Sequence, residues 1–419
     1  MQKLPLLKLL AIASFGFALT LFTNTLDPAL YGFKVLQLAP QNPNTLLGFS
    51  TAAGSLLVLL MGPLVGLLSD RTRSPLGRRL PYFIAGVPLM IAGLLLVGLA
   101  PSVAAFVLGV LLWRFGDNII FAPWEALYAD RVPAAQRGLA SGLKSLTEIL
   151  AVLVGRLAAG ELMAAVPLHG QVALLAAMAV PSLGLLLALL FTWLVMRDEP
   201  FEQGEPVREP LLNTYIDSFR FDWRTQHAFR WWFLNRFLFW VAFVTLSQFL
   251  LLFVVGVVGL PEADAQRYLA RLSIVLGGAI LAVAVPSGRL ADRIGRAPVV
   301  IAACLMAAAG TLLVLVVRDL NWLMVAAGLI GCGAGIYLSA NFAQLTDIVP
   351  KPEAGRYIGL AGIAGAAGGT LARLLGGLLI DPLNQLTPAG TLGYLTLYGV
   401  AALLFVAAAW VASFTTKEV

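Results

Sequence analysis

Twelve long apolar stretches, separated by short polar intervals, run along the chain. They fall at 8–33, 46–68, 82–100, 103–129, 139–163 and 171–196, then at 230–258, 268–288, 297–317, 321–346, 356–380 and 391–414. Each supplies the ~20 residues that a helix needs to cross a bilayer. The pattern predicts an all-α polytopic membrane protein with twelve transmembrane helices in two six-helix halves. Glycine and proline inside the stretches are tolerable, because neighbouring helices and waters can satisfy freed backbone groups. The polar interval 197–229 reads as the cytoplasmic linker between an N-terminal bundle, 1–196, and a C-terminal bundle, 230–419. Within it Leu211, Leu212, Tyr215, Ile216 and Phe219 recur at helical spacing, as in an amphipathic helix lying on a membrane face.

Composition agrees. Residues AVILMFWYC make up 59% of the chain, charged residues 12%, and the mean hydropathy is +0.88, more apolar surface than a soluble protein of this length can bury. The net charge of +6 does not point to nucleic acid, because the basic residues sit in short loops between apolar runs. With both termini cytoplasmic, 19 Lys and Arg fall on the inner side and 4 on the outer, which orients the chain in the cell (inner or plasma) membrane. The N-terminal run continues past signal-peptide length, so it reads as a retained first helix. Cys304 and Cys332 lie within apolar runs and read as inert buried thiols. No phosphate loop, zinc-ligand spacing or Gly-x-Ser-x-Gly occurs, and His169 and His227 fall in loops. These features predict no enzyme, no cofactor and no metal.

Two signatures are written twice. Gly66-Leu-Leu-Ser-Asp70-Arg71-Thr-Arg73-Ser-Pro75-Leu-Gly77-Arg78-Arg79 lies between spans two and three. Its shorter echo, Gly288-Arg289-Leu-Ala-Asp292-Arg293-Ile-Gly295-Arg296, lies between spans eight and nine, the two aspartates being 222 residues apart. Asp130-Arg-Val132-Pro133 before span five returns as Asp347-Ile-Val349-Pro350 before span eleven, at an offset of 217; the same offset carries Arg156 onto Arg373. The chain is a duplication whose halves run parallel.

The loop signature resembles that of the major facilitator superfamily, over essentially the whole chain. The longer first copy, Ser69-Asp70-Arg71-Thr72-Arg73-Ser74 through Arg78-Arg79 to Pro81-Tyr82, with Asp117, Pro123, Ala126-Leu127 and Ala129-Asp130 in span four, is similar to the glycoside–pentoside–hexuronide:cation symporters and the sucrose transporters. The resemblance implies alternating-access transport of a sugar or similar solute, with Asp117 contacting it. Span two carries no acidic residue, unlike the sodium-coupled melibiose carriers, and Arg114 stands where sucrose transporters have an aspartate.

Charges inside the membrane cost about 2.5–3.5 kcal/mol each on insertion scales and are rarely idle. Span four carries Arg114, Asp117, Asn118 and Glu125 on one helical face; span five carries Lys144, Glu148 and Arg156. Counting rise from the inner surface predicts three layers: Glu125 with Lys144, Arg114 with Asp117 and Glu148 near the midplane, and Asp27 with Arg156 towards the outer face. Arg114, Asp117, Asn118 and Trp124, with Tyr337, Asn341 and Gln344 of span ten, are the candidate solute contacts. Glu148, Asp117, Asp27, Glu125 and Lys144 are the candidates for proton coupling, Glu148 foremost as the proton carrier. Arg236, near an inner end, is expected to snorkel. Asp70, Arg71, Arg78, Asp292, Arg293 and Arg296 are expected to latch the inner helix ends. Arg156 with Asp27, and Arg373 with Asp381, should close the outer mouth. The reading is a monomeric, proton-coupled symporter of a small polar solute, in contact with lipid and with no nucleic-acid partner. The alternatives are a lipid or amphiphile carrier of the same fold and a non-transporting membrane assembly factor of the pigment-delivery type; retained midplane charges argue against the latter.

Overall fold

The computed structural model describes residues 4–25, 29–133, 136–166, 170–196, 211, 215, 227–348, 354–388 and 390–415. Every regular element among them is helical. The first half supplies α1 (Leu6–Thr25), a short α2 (Tyr31–Leu38), α3 (Pro43–Arg71), α4 (Leu80–Gly98), α5 (Val103–Arg131), α6 (Arg137–Ala164) and α7 (Gln171–Met196). The second supplies α8 (His227–Gln248), its bent continuation α9 (Leu250–Phe253) with a π-helical turn Val254–Val258, then α10 (Glu262–Ile294), α11 (Arg296–Val316), α12 (Leu320–Ile348), α13 (Ala354–Asn384) and α14 (Leu392–Ala412). Ten of these helices are individually long and apolar enough to cross a membrane; α8 and its continuation, bent by 50°, pass the same test only when taken together. The long helix outside that set is α6, whose 28 residues include Lys144, Glu148, Arg156 and Glu161.

Local chemistry sets the boundaries. Ser102 caps α5 by accepting from the amide of Ala105, and a proline in the first turn of α4 costs no hydrogen bond there. Gly295, at φ +93°, ends α10 and lets α11 begin at the next residue, a tight reversal that a β-carbon would strain. Large apolar side chains such as Leu108, Leu183, Leu403 and Trp410 remain exposed on helix exteriors, the surface that lipid would cover. Of the linker, Leu211 and Tyr215 are described and both are helical; the Tyr215 hydroxyl donates to the Leu60 carbonyl at 2.9 Å. The remainder of the expected amphipathic helix lies outside the described residues.

The chain divides into two compact units: Met1–Pro40, Leu56–Asp217 and Glu262–Arg267 in the first, Gln41–Ser55, Ser218–Pro261 and Tyr268–Val419 in the second. Each unit thus includes the opening turns of one helix from the opposite half, α10 in the first and α3 in the second. The helix pairings in the two halves are the same. In the first, α1 packs on α5, α6 and α7, and α4 on α5 and α7; in the second, α8 packs on α12, α13 and α14, and α11 on α12 and α14. The repeat seen in the loops is therefore a repeat of packing. Close approach is needed in both copies: a β-carbon at Gly93 would strike the Trp113 backbone, and one at Gly333 would come within 2.8 Å of the Ala303 carbonyl oxygen.

Candidate functional site

The polar stripe of α5 has two distinct parts. Towards the middle of the helix, the Arg114 guanidinium lies 3.9 Å from the centre of the Trp113 ring. Trp113 itself is fully buried. Asp117, one turn on, is half-buried and close enough to Arg114 to feel its charge, yet no hydrogen bond or ion pair holds its carboxylate among the described residues. Asn118 is 3% exposed, and its amide nitrogen has no hydrogen-bond partner among the described residues. Its amide oxygen faces Gly62 of α3, where even a β-carbon would leave 3.7 Å. A carboxylate acceptor, a guanidinium and an unpaired amide donor thus share one face of one helix. That set matches the donors and acceptors of a hydroxyl-rich solute.

Nearer the end of α5, Lys144 Nζ of α6 hydrogen-bonds Glu125 Oε1 and lies 3.9 Å from Glu148 Oε1. The same ammonium sits over the rings of Trp124 (4.9 Å) and Tyr128 (5.6 Å). Glu148 therefore joins Lys144 and Glu125, which corrects its expected place beside Arg114 and Asp117. The cause is spacing: residues four apart on α6 stack one turn apart on the same face, so Glu148 reaches its own helix's lysine. Trp124 sits against α1. Its indole is buried, donates to the Ile12 carbonyl at 3.2 Å and packs on Gly16 of α1.

The polar residues of the second half are tied to one another. Tyr337 is fully buried, stacks on Phe239 with ring centres 3.5 Å apart and donates to Asn235 Oδ1 at 2.8 Å. Asn341 donates to the same oxygen at 3.2 Å and accepts from Arg236 Nη1 at 2.9 Å; Gln344 donates to Thr415 Oγ1 at 2.6 Å. Asn235 in turn donates to the Ala408 carbonyl, and Arg236 Nε to the Ala361 carbonyl. In this structure Tyr337, Asn341 and Gln344 make contacts between helices of their own bundle. Arg236 turns into the bundle instead of snorkelling, because the Asn341 amide and the Ala361 carbonyl satisfy its guanidinium there.

At the loop between α3 and α4, Arg79 joins three partners: Asp70 at 2.6 Å, Ser69 at 2.6 Å and Asp130 at 2.9 Å, while Arg78 reaches the other oxygen of Asp130 at 2.6 Å. In the second copy Arg296 joins Asp292 at 2.5 Å and Asp347 at 3.2 Å. Arg71 is half-buried and Arg293 exposed. The expected outer pair of Arg373 with Asp381 is corrected: Arg373 Nε donates to Gln248 Oε1 at 2.9 Å, whereas Asp381 accepts from Asn44 Nδ2 and the Thr45 amide, each at 2.7 Å. The carboxylate thus meets the free amides at the start of α3, a favourable place for an anion. Asp27, and with it the pairing to Arg156, lies outside the described residues.

Residues 8–285 and 269–418 match the Major Facilitator Superfamily family model. The chain belongs to the major facilitator superfamily. Among curated proteins, this major facilitator chain is 31% identical over 156 residues to sucrose transport protein SUT2 of Oryza sativa subsp. indica, covering 31% of this chain and 29% of that protein. It is 31% identical over 112 residues to an uncharacterised MFS-type transporter of Mycobacterium tuberculosis, covering 27% of this chain and 16% of the other. The chain spans less than a third of the length of these relatives. Among solved structures it is similar to a bacterial homologue of the human lysosomal transporter Spinster (TM-score 0.72, 17% identity, 97% of this chain and 95% of that one). It is likewise similar to the nucleoside transporter NupG (TM-score 0.74, 12% identity, 98% and 100%). At such identities the likeness shows the fold alone.

Two features of this major facilitator chain were not anticipated from the sequence. Arg79, and not Arg78 alone, is the counterpart of Arg296: the two share the offset of 217 that relates Asp130 to Asp347, and each arginine lies 51 residues before its aspartate. That equality was present in the sequence. Aligning the loops on Asp70 and Asp292 hid it, because the first loop is five residues longer. The capping of α3 by Asp381 had no comparable signal, since Asn44 and Asp381 are 337 residues apart.

Proposed function

We propose that this chain is a secondary active transporter that moves a small polar solute, a sugar or glycoside first among them, by proton symport across a cell membrane, with both termini cytoplasmic. The observation that carries the reading is the Asp117 carboxylate inside the bundle, beside Arg114 and the unpartnered Asn118 amide, bonded to nothing within the described residues. A charge is costly in that setting, and a solute hydroxyl donating to Asp117 and accepting from Asn118 would complete both groups. The partial likeness to sucrose transport proteins supports a sugar-like cargo. Coupling falls to the second cluster. One ammonium, Lys144, faces two carboxylates, so Glu125, Lys144 and Glu148 together lack one positive charge, and a single proton on Glu148 neutralises them. The two arginine–aspartate triads act as latches at the helix ends, made and broken as access alternates.

A second reading is favoured by one observation. Because Tyr337, Asn341 and Gln344 are bonded within their own bundle, the second half presents few polar groups to a cargo, as suits an amphiphile with a polar head and an apolar tail. A thermal-shift screen of sugars, glycosides and lysolipids on purified protein, followed by counterflow of the labelled hit in liposomes, separates the two. Stabilisation and counterflow with a sugar or glycoside support the first reading. A response to lysolipids alone supports the second, and no counterflow with any hit overturns both.

A further inference from the structure

Glu125 and Glu148 converge on a single point from two helices, and that point is occupied by Lys144 Nζ. The ammonium hydrogen-bonds Glu125 Oε1 and stands 3.9 Å from Glu148 Oε1. The ring of Tyr128 lies 5.6 Å from it, and the buried Tyr128 hydroxyl has no hydrogen-bond partner among the described residues. Two carboxylates and a phenolic oxygen are hard oxygen donors, the kind that hold alkali and alkaline-earth cations. Lys144, Glu125 and Glu148 are all half-buried, with side chains 22%, 39% and 33% exposed, so the cluster is not sealed within the bundle.

We infer that Lys144 is a built-in cation: its ammonium fills the place a sodium ion would take between Glu125 and Glu148, which leaves the proton as the external cation the cluster admits. This rests on the proton-coupled reading above and supplies its ion specificity. An ammonium carries the same charge as sodium but is bonded to α6, so its effective concentration at the site is set by the chain and not by the medium. A sodium ion entering beside it would meet a like charge within a few ångströms, in a setting less polar than water. A proton needs no such space, since it resides on a carboxylate oxygen. Removing the ammonium should turn the same oxygens into a sodium site.

The test of the cation site needs neither the solute nor transport; only its separation from the coupling reading does. Wild type and Lys144→Ala are purified and their thermal unfolding followed in sodium chloride, potassium chloride and choline chloride at equal ionic strength. Wild type should unfold at the same temperature in sodium and in choline. Lys144→Ala should gain a saturable, sodium-dependent rise in Tm, and the double variant Lys144→Ala/Glu148→Gln should lose it. If Lys144→Ala is recovered folded only when sodium is present during purification, that is the same result in another form. Sodium-dependent stabilisation of wild type overturns the proposal. So does a Lys144→Ala protein whose recovery and Tm are indifferent to sodium. A sodium response in Lys144→Ala, together with normal proton-driven accumulation by Glu148→Gln, would keep the site and reject the coupling reading, so the two failures are distinguishable.

Discussion

In the first half, the Asp117 carboxylate, the Asn118 amide nitrogen and the Tyr128 hydroxyl sit inside a membrane bundle without a hydrogen-bond partner among the described residues. In the second half, Asn235, Tyr337 and Asn341 bond to one another, and Arg236 is held by Asn341 and the Ala361 carbonyl. The helix pairings that carry these groups are the same in both halves. Duplication thus preserved the packing and left the interior chemistry free to diverge. Unsatisfied polar groups in an apolar setting are costly unless something binds them, whereas satisfied networks rigidify. The Asp117–Asn118 stripe of the first half is open to a ligand, whereas the Asn235–Tyr337–Asn341 network of the second is closed on itself, although Trp240 Nε1 and the Tyr398 hydroxyl there also lack partners among the described residues.

The largest effect is expected at Asp117. Asp117→Asn removes a charged acceptor worth about 1.5–3 kcal/mol in a hydrogen bond. Solute binding should weaken by about 10- to 100-fold, and both accumulation and exchange should fail. Binding titrations and counterflow on the same preparation check this, and near-normal values would move the site away from α5. Glu148→Gln comes next. Accumulation under an imposed proton gradient should disappear, while exchange of labelled for unlabelled solute stays within a few-fold of wild type. Normal accumulation by this variant would reassign the proton to Glu125 or Asp27.

In the closed network the effect should fall on stability. Asn341→Leu leaves Arg236 short of one partner and Asn235 Oδ1 short of one donor, both buried or half-buried. Leaving such groups unpaired costs about 1–3 kcal/mol. Tm should drop by several degrees, with solute affinity per folded molecule unchanged. A large loss of affinity at normal Tm would return Asn341 to the solute site and collapse the distinction between the halves.

What the sequence made legible follows the same division. Apolar periodicity and the doubled loops exposed the helices and the repeat, because span length and duplication leave local, countable marks. The meeting of Glu125 with Lys144 was also within reach, since both lie a few turns from their helix ends. Depth counting could not place Glu148. Rise along the axis says nothing of azimuth or side-chain reach, and a lysine one turn away outcompetes an arginine on the next helix. Nor could it tell that Tyr337 and Asn341 face inward to Asn235, because a polar stripe at helical spacing looks the same whether it meets a solute or another helix. The bond from Asp381 to Asn44 depends on two residues brought together only by the folded chain.

The smallest expected effect concerns the paired latches, and it tests whether the asymmetry of the halves extends to their loops. Arg79 is 7% exposed and joins Asp70, Ser69 and Asp130; Arg296 joins Asp292 and Asp347, whose side chains are 63% and 57% exposed. A lysine keeps the charge but loses the planar fork that allows several partners at once. At Arg79 that loss falls on buried Ser69 and on Asp130, 14% exposed, where solvent cannot substitute for the missing bonds, and on Asp70, 51% exposed, where it can. At Arg296 the partners are in water, and exposed pairs of this kind contribute little and are screened by salt. Arg79→Lys should therefore slow turnover several-fold at unchanged solute affinity. Arg296→Lys should stay within about twofold of wild type, the pairs it weakens being worth at most about 1 kcal/mol, and its remaining deficit should shrink as ionic strength rises. Turnover measured in liposomes at low and high salt decides the matter. Equal slowing by the two substitutions, insensitive to salt, would mean that the latches are functionally symmetric and that the divergence of the halves is confined to the membrane interior.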